Sequence, residues 1–208
     1  MTQPAPPATT KMPSDQRKAQ IIDAATQLFA NSGYAGTSLR DVAQQCGMTK
    51  AALYYHYPDK ESLLKSVVST RMTRLNDLME QAIAATNSDD PMLRMRAFLL
   101  ACARYIDQNR SGWVVSSRIF WSIAAISDRT EMVELRDHFE SLLRTEVERA
   151  MAAGTLLPEN PSLVTRLLLS WLNYIPRWHK PDGKLSVEEV AEQFLRLSLN
   201  GLLTDRTT

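Results

Sequence analysis

The stretch from Thr37 to Lys60, TSLRDVAQQCGMTKAALYYHYPDK, constrains this chain more than any other. It reads as two short helices joined by a tight turn. Ser38 caps the first, with Asp41 three residues on as the capping-box partner. Leu39, Val42, Ala43 and Cys46 recur at helical spacing and give that helix a face to bury. Gly47 follows, where the end of a helix favours a residue that tolerates positive φ. Thr49 caps the second helix, and Ala52, Leu53 and Tyr54 begin its core side. Pro58 stops it, because its ring cannot extend the backbone ladder, and Asp59 caps a further helix starting at Lys60. This is the sequence form of a helix-turn-helix, whose second helix enters the major groove of DNA.

The side chains in this stretch suit that task. Thr49, Lys50 and Ala51 stand at the start of the second helix, the part that reaches base edges. Lys50 suits guanine O6/N7 or a phosphate, and Ala51 allows close approach and contact with a thymine methyl. The hydroxyl of Tyr55 and the ring N–H of His56 suit phosphate oxygens, which fix register without reading sequence. Lys60, at a helix N-terminus, makes a further phosphate site. Thr37 and Ser38 do the same at the start of the first helix, and Arg40 projects from it towards phosphate or a base.

Residues 28–64, LFANSGYAGTSLRDVAQQCGMTKAALYYHYPDKESLL, resemble the DNA-binding domain of the TetR family of bacterial transcriptional repressors. The likeness rests on LF, then G-Y-x-G-T-S, D-V-A, a glycine turn, and the run L-Y-Y-H-Y-x-x-K-E-x-L-L. It extends weakly back to about Arg17, and beyond about residue 75 it is one of architecture more than sequence. The resemblance implies DNA contacts at Ser38, Thr49, Lys50, Tyr55, His56 and Lys60. For Tyr54 it implies a core side chain with a polar tip, as the spacing also does.

Charge is unevenly placed along the 208 residues. Residues 1–75 hold nine Lys/Arg and five Asp/Glu, a net +4, and the remainder is net −3. That pattern suits a basic DNA-facing head on a near-neutral body. The two cysteines, Cys46 and Cys102, lie in apolar helical patterns and read as buried, reduced thiols of a cytoplasmic protein. No apolar run is long enough to span a membrane, and no signal peptide is expected.

Three segments are expected. Residues 1–13, with four prolines, read as a disordered arm whose basic base, Lys11, Arg17 and Lys18, suits either solvent or DNA phosphates. Residues 14–59 form the helix-turn-helix domain. Its first helix runs from Asp15 to Asn31, capped by Ser14 and ended by Gly33, with Ile21, Ile22, Ala25, Leu28 and Phe29 on one face. Residues 60–208 form a ligand-binding and dimerisation domain. Helices are expected from Lys60 to about Ala85 (roughly 40 Å at the standard rise), Met92 to Asn109, about Trp113 to Ile126, Asp128 or Thr130 to Ala153, Ser162 to Trp178, and from Ser186 to about Leu203. No segment alternates as a strand, so the fold class is all-α.

The last two long helices are apolar over more than one face. Leu167, Trp171 and Ile175 line one; Val190, Phe194, Leu197 and Gly201 line the other. A pair from each subunit would make a four-helix bundle on a two-fold axis, so a homodimer is expected. The resemblance implies the same arrangement.

The body also carries an aromatic and polar set suited to a pocket with apolar walls and a few polar groups. It comprises Phe98, Tyr105, Trp113, Arg118, Phe120, Trp121 and His138, then Asn173, Tyr174, Arg177 and Trp178. Ordinary core packing is the competing reading for each aromatic. Arg118 and Arg177 lie in apolar runs and need a partner, either a neighbouring carboxylate or an anionic ligand. The stretch NYIPRWHKPDGKLSVEEVA resembles the C-terminal part of family members that sense acyl-CoA thioesters.

The expected function is that of a DNA-binding transcriptional regulator. It is expected to act as a repressor on double-stranded operator DNA, released by a small hydrophobic effector, with an acyl-CoA thioester the leading candidate. A transcriptional activator and a helical protein-binding adaptor are the alternatives. No cofactor is expected. Glu134 and His138, four apart, have no third ligand nearby, so no metal site is expected. The sequence has no G-x-S-x-G, H-E-x-x-H, phosphate loop or dinucleotide fingerprint, which argues against an enzyme.

Overall fold

A computed structural model describes residues 13–110, 113 and 128–200. Among these residues there are eight α-helices, one 3₁₀ turn and no β-strand, as the periodicity requires. The chain divides into two compact units, Met1–Val67 and Val68–Thr208.

The first unit holds α1 (Ser14–Gly36), α2 (Leu39–Gln45), α3 (Lys50–His56) and the start of α4 (Lys60–Ala84). Ile21, Ala24, Ala25 and Phe29 of α1 are buried. Pro13, not Ser14, stands at its N-cap, and no side chain caps it. Gly33, at φ 72° and ψ 164°, interrupts α1, and a short helical stretch continues to Gly36. The unit boundary falls eight residues later than the expected break before Lys60. Leu63, Leu64 and Val67 of α4 are buried and belong with the first unit, whose α1, α2 and α3 alone make only a thin core.

In the second unit, α4 is followed by α5 (Pro91–Gln108), α6 (Thr130–Ala152), α7 (Pro161–Tyr174), a 3₁₀ turn (Ile175–Arg177) and α8 (Val187–Leu199). Helix α5 is central and packs against α6, α7 and α8. Its buried residues Met95, Phe98, Leu99, Cys102, Ala103 and Ile106 repeat every three or four positions. Local chemistry sets the helix starts. Asp90 accepts from the Met92 N–H at 2.8 Å, with Pro91 in the first turn. Asn160 accepts from the Ser162 and Leu163 N–H groups. Ser186 and Glu189 form a complete capping box. The expected helix from Trp113 to Ile126 lies outside the described residues apart from Trp113. Helix α7 ends at Tyr174, short of the expected Trp178, because Pro176 has no N–H with which to continue it.

Both thiols are buried and unpaired by disulfides. Burial pushes both above the ordinary thiol value, Cys102 to about 12. No helix among the described residues is long and apolar enough to cross a membrane.

Candidate nucleic-acid interface

The helix-turn-helix is built by bonds that span three or four residues. The Ser38 N–H donates to Asp41 Oδ2 at 2.8 Å, and the Asp41 N–H donates back to Ser38 Oγ at 3.2 Å. The Ser38 hydroxyl also donates to Asp41 Oδ2. These bonds hold the Asp41 carboxyl below the ordinary carboxylate range. Cys46 closes α2, and Gly47 takes φ 61° so that the Met48 N–H reaches the Ala43 carbonyl at 2.9 Å. Thr49 Oγ1 then accepts from the Ala52 N–H and starts α3. Leu53 anchors α3 in the core.

One face of α2 and α3 is left in solvent. Arg40, Thr49, Lys50 and Ala51 are exposed, and Tyr55 is 88 % exposed. His56 is half-buried, with its ring edge-on to Tyr55 at 5.5 Å. The Lys50 ammonium lies 5.3 Å from the centre of the Tyr54 ring. The face therefore offers cationic, hydroxyl and imidazole groups, a set suited to phosphates and base edges.

Three residues sit differently from expectation. Thr37 is only 3 % exposed, and its hydroxyl points at the Gly33 and Leu28 carbonyls at 2.9 and 3.2 Å. It fastens the loop after the Gly33 interruption and has no surface to offer a phosphate. Tyr54 is 42 % exposed and is not a core residue; Tyr57 is buried in its stead. Leu53 and Tyr57, four apart, share the buried stripe, whereas Tyr54 is turned about 100° away. Ser38 remains exposed, but its hydroxyl proton is committed to Asp41.

Lys60 is half-buried. Its Nζ lies 4.3 Å from the centre of the Tyr34 ring and 3.5 Å from the Ala35 carbonyl oxygen. Burial lowers its pKa, and the Asp41 carboxylate opposes that shift. The position of Tyr34 between a helix-ending glycine and Thr37 gave no sign of the lysine that follows it by twenty-six residues.

The residues expected to bind a ligand do not converge. Phe98 is fully buried against Phe139, with ring centres 5.1 Å apart. Tyr105 and Trp113 are half-buried and meet edge-on at 6.5 Å. His138 is exposed and pairs with Glu80 at 2.7 Å. Asn173, Tyr174, Arg177 and Trp178 lie on the surface, because the chain leaves α7 there for the 3₁₀ turn. Arg177 is not a buried arginine in need of an anion; it stacks over Tyr174 at 5.6 Å. Arg118, Phe120 and Trp121 lie outside the described residues. Among the described residues, no group of three His, Cys, Asp or Glu side chains is placed to hold a metal.

The second unit brings together groups that the sequence did not single out. A cleft of ≈ 300 Å³ is lined by Glu80, Ile83 and Ala84 of α4, Arg94 of α5, and Ser141, Leu142, Thr145 and Glu146 of α6. Buried Glu146 receives Arg94 at 2.8 Å and Arg149 at 2.9 Å, so two guanidinium groups converge on one carboxylate in that wall, and Arg149 also lies 4.0 Å from Asp89 Oδ1. Elsewhere in the unit, Ser69 Oγ, Asn76 Oδ1 and the indole nitrogens of Trp113 and Trp171 are buried without a hydrogen-bond partner among the described residues. Ser69 and Asn76 lie two turns apart on one face of α4.

Of the residues expected at a dimer interface, Ile175 and Val190 are 1 % and 5 % exposed and belong to the unit's own core. Trp171 and Phe194 are half-buried and meet at 5.6 Å, and Trp178 closes on Phe194 at 5.9 Å. Leu167 and Leu197 are exposed, as are Leu163, Tyr174 and Trp178 around them. Gly201 lies outside the described residues.

Residues 21–67 match the model of the bacterial regulatory proteins of the tetR family, and residues 88–202 match that of the tetracyclin repressor-like C-terminal domain. The chain is 26 % identical over 198 residues to the HTH-type transcriptional repressor KstR2 of Rhodococcus jostii, covering 95 % of this chain and 96 % of that protein. It superposes on the TetR family regulator PfmR of Thermus thermophilus with a TM-score of 0.74 at 34 % identity, covering 89 % and 99 % of the two chains. It also superposes on AibR, solved in complex with isovaleryl coenzyme A and operator DNA, with a TM-score of 0.71 at 26 % identity, covering 87 % and 97 %.

Proposed function

The chain belongs to the TetR family of bacterial transcriptional regulators, and on that footing we propose that it is a dimeric repressor released from its operator by a small molecule. The observation that carries the reading is the exposed face of α2 and α3, held by the Ser38–Asp41 box and the Gly47 turn. Lys50 and Ala51 contact base edges at the start of α3. Tyr55, His56 and Lys60 contact phosphate and supply affinity more than specificity. Arg40 and Thr49 border them. Buried Thr37 fastens the loop before this face, and exposed Ser38 caps α2 at its edge.

A second copy covers the exposed leucines and aromatics of α7 and α8. This sets two α3 helices on half-sites separated by about one duplex turn, ~34–36 Å, or a multiple of it. The effector binds in the second unit. The buried polar atoms on α4, and at Trp113 and Trp171, that have no partner among the described residues support a ligand that offers hydrogen bonds as well as apolar bulk. The likeness to AibR supports an acyl-CoA thioester. Helix α4 contributes residues to both units, so a ligand that prefers one setting of α4 alters what the first unit presents to DNA.

The reading is tested by titrating acyl-CoA thioesters and matched free acids against the chain with and without its operator, isolated from bound genomic fragments. An effector should bind less tightly in the presence of operator, and operator binding should fall by the same factor, about 5- to 150-fold. A thioester that binds equally well in both titrations is not the effector. Failure to select any duplex sequence from the genomic fragments would overturn the repressor reading itself.

A further inference from the structure

Tyr34 and Lys60 meet across the loop that joins α1 to α2. The Lys60 ammonium stands over the face of the ring, 4.3 Å from its centre. At 3.5 Å the Ala35 carbonyl gives it a second, uncharged partner. The ring also meets Phe29 edge-on, 5.5 Å between centres, and Phe29 is fully buried. Among the described residues no carboxylate forms an ion pair with Lys60. Asp41, the acid that acts on its charge, is bound to Ser38.

A cation over an aromatic face is held by the ring quadrupole and keeps its full charge. A carboxylate partner would have cancelled that charge. A lysine left loose in solvent would surrender its rotamer freedom on reaching a phosphate. We propose that Tyr34 is a positioning residue for DNA binding: its ring holds the Lys60 ammonium in place at the N-terminus of α4, outside any direct ion pair, ready for a backbone phosphate. The proposal rests on the reading of Lys60 as a phosphate contact. It requires the π-face of Tyr34, not its hydroxyl and not merely its volume.

The test uses the full chain and a mixed-sequence duplex of about three helical turns. Affinity is measured against salt for the wild type, Tyr34→Phe, Tyr34→Leu, Lys60→Met and the double variant Tyr34→Leu/Lys60→Met, each checked for helicity. Lys60→Met should lower the salt slope by about 0.9 for each Lys60 that reaches a phosphate. Tyr34→Leu should weaken binding about two- to fivefold, the size of an exposed cation–π contact. That loss should vanish in the Lys60→Met background, and Tyr34→Phe should retain binding. An equal Tyr34→Leu loss in both backgrounds, or none in either, overturns the positioning role while the Lys60 contact stands. A Lys60→Met variant with unchanged affinity and slope overturns the phosphate reading beneath it. Should Tyr34→Leu fail to fold, the wild type decides by NMR. The Lys60 ε-methylene protons should be shifted upfield by the ring and stay so on adding the duplex; a return to ordinary values means that Lys60 leaves the ring to bind.

Discussion

One hydroxyl separates two roles for Thr37. A threonine before a helix start suits a phosphate if it points outward, and it locks the loop if it points inward. Here it points inward, to two backbone carbonyls. Thr37→Val should therefore cost about 1–2 kcal/mol of stability, because the carbonyls lose a buried donor. Duplex affinity of the folded protein should not change. Thermal melting and salt-dependent binding on the same sample separate the two roles; lost affinity with an unchanged melt would restore the phosphate contact. Residue type could not show this direction, since the Gly33 interruption sets it. Asp41 carries a pH consequence. Its pKa is lowered in the folded state by Ser38, so the capping box stabilises α2 fully above the ordinary carboxylate value. That contribution fades as pH falls through the lowered folded-state value. Ser38→Ala should flatten this acid-side dependence in urea melts; an unchanged pH profile would remove the box from the account.

The α2–turn–α3 element was legible because every signal in it is local. Cap and partner are three residues apart, and Gly47 stands one residue beyond Cys46, which closes α2. A Cβ added at Gly47 meets no atom within 4 Å, so its replacement tests backbone conformation alone. Gly47→Ala should cost roughly 1–2 kcal/mol, the penalty of a left-handed residue with a side chain. Chemical denaturation measures it, and a loss well under half that would mean that the turn relaxes. What stayed hidden depended on partners far along the chain. The face of α3 is chosen by what packs on it, which is why Tyr54, expected in the core, is exposed and Tyr57 is buried. Arg94 and Glu146 are fifty-two residues apart, and no local pattern pairs them. The scatter of the expected ligand residues has the same cause: aromatic content shows that a helix is buried somewhere, not which rings share a cavity.

For the molecule as a whole, the decisive surface is the exposed stripe of Leu163, Leu167 and Tyr174 on α7 beside Leu197 on α8. Glutamates at both Leu167 and Leu197 would bury four like charges in a two-fold interface. The double variant L167E/L197E should sediment as a single chain with unchanged helicity and lose the joint occupation of two half-sites. If it sediments as two chains, another surface joins the copies. Each compact unit also contains one cysteine, Cys46 in the first and Cys102 in the second, both shut away from solvent. An alkylating reagent can reach either sulfur only during an opening of the unit that encloses it. The chain thus carries two built-in clocks, read separately as two peptides in a mass spectrum. Run with and without duplex or a thioester, they report which unit each partner holds shut, with no label added and no residue changed.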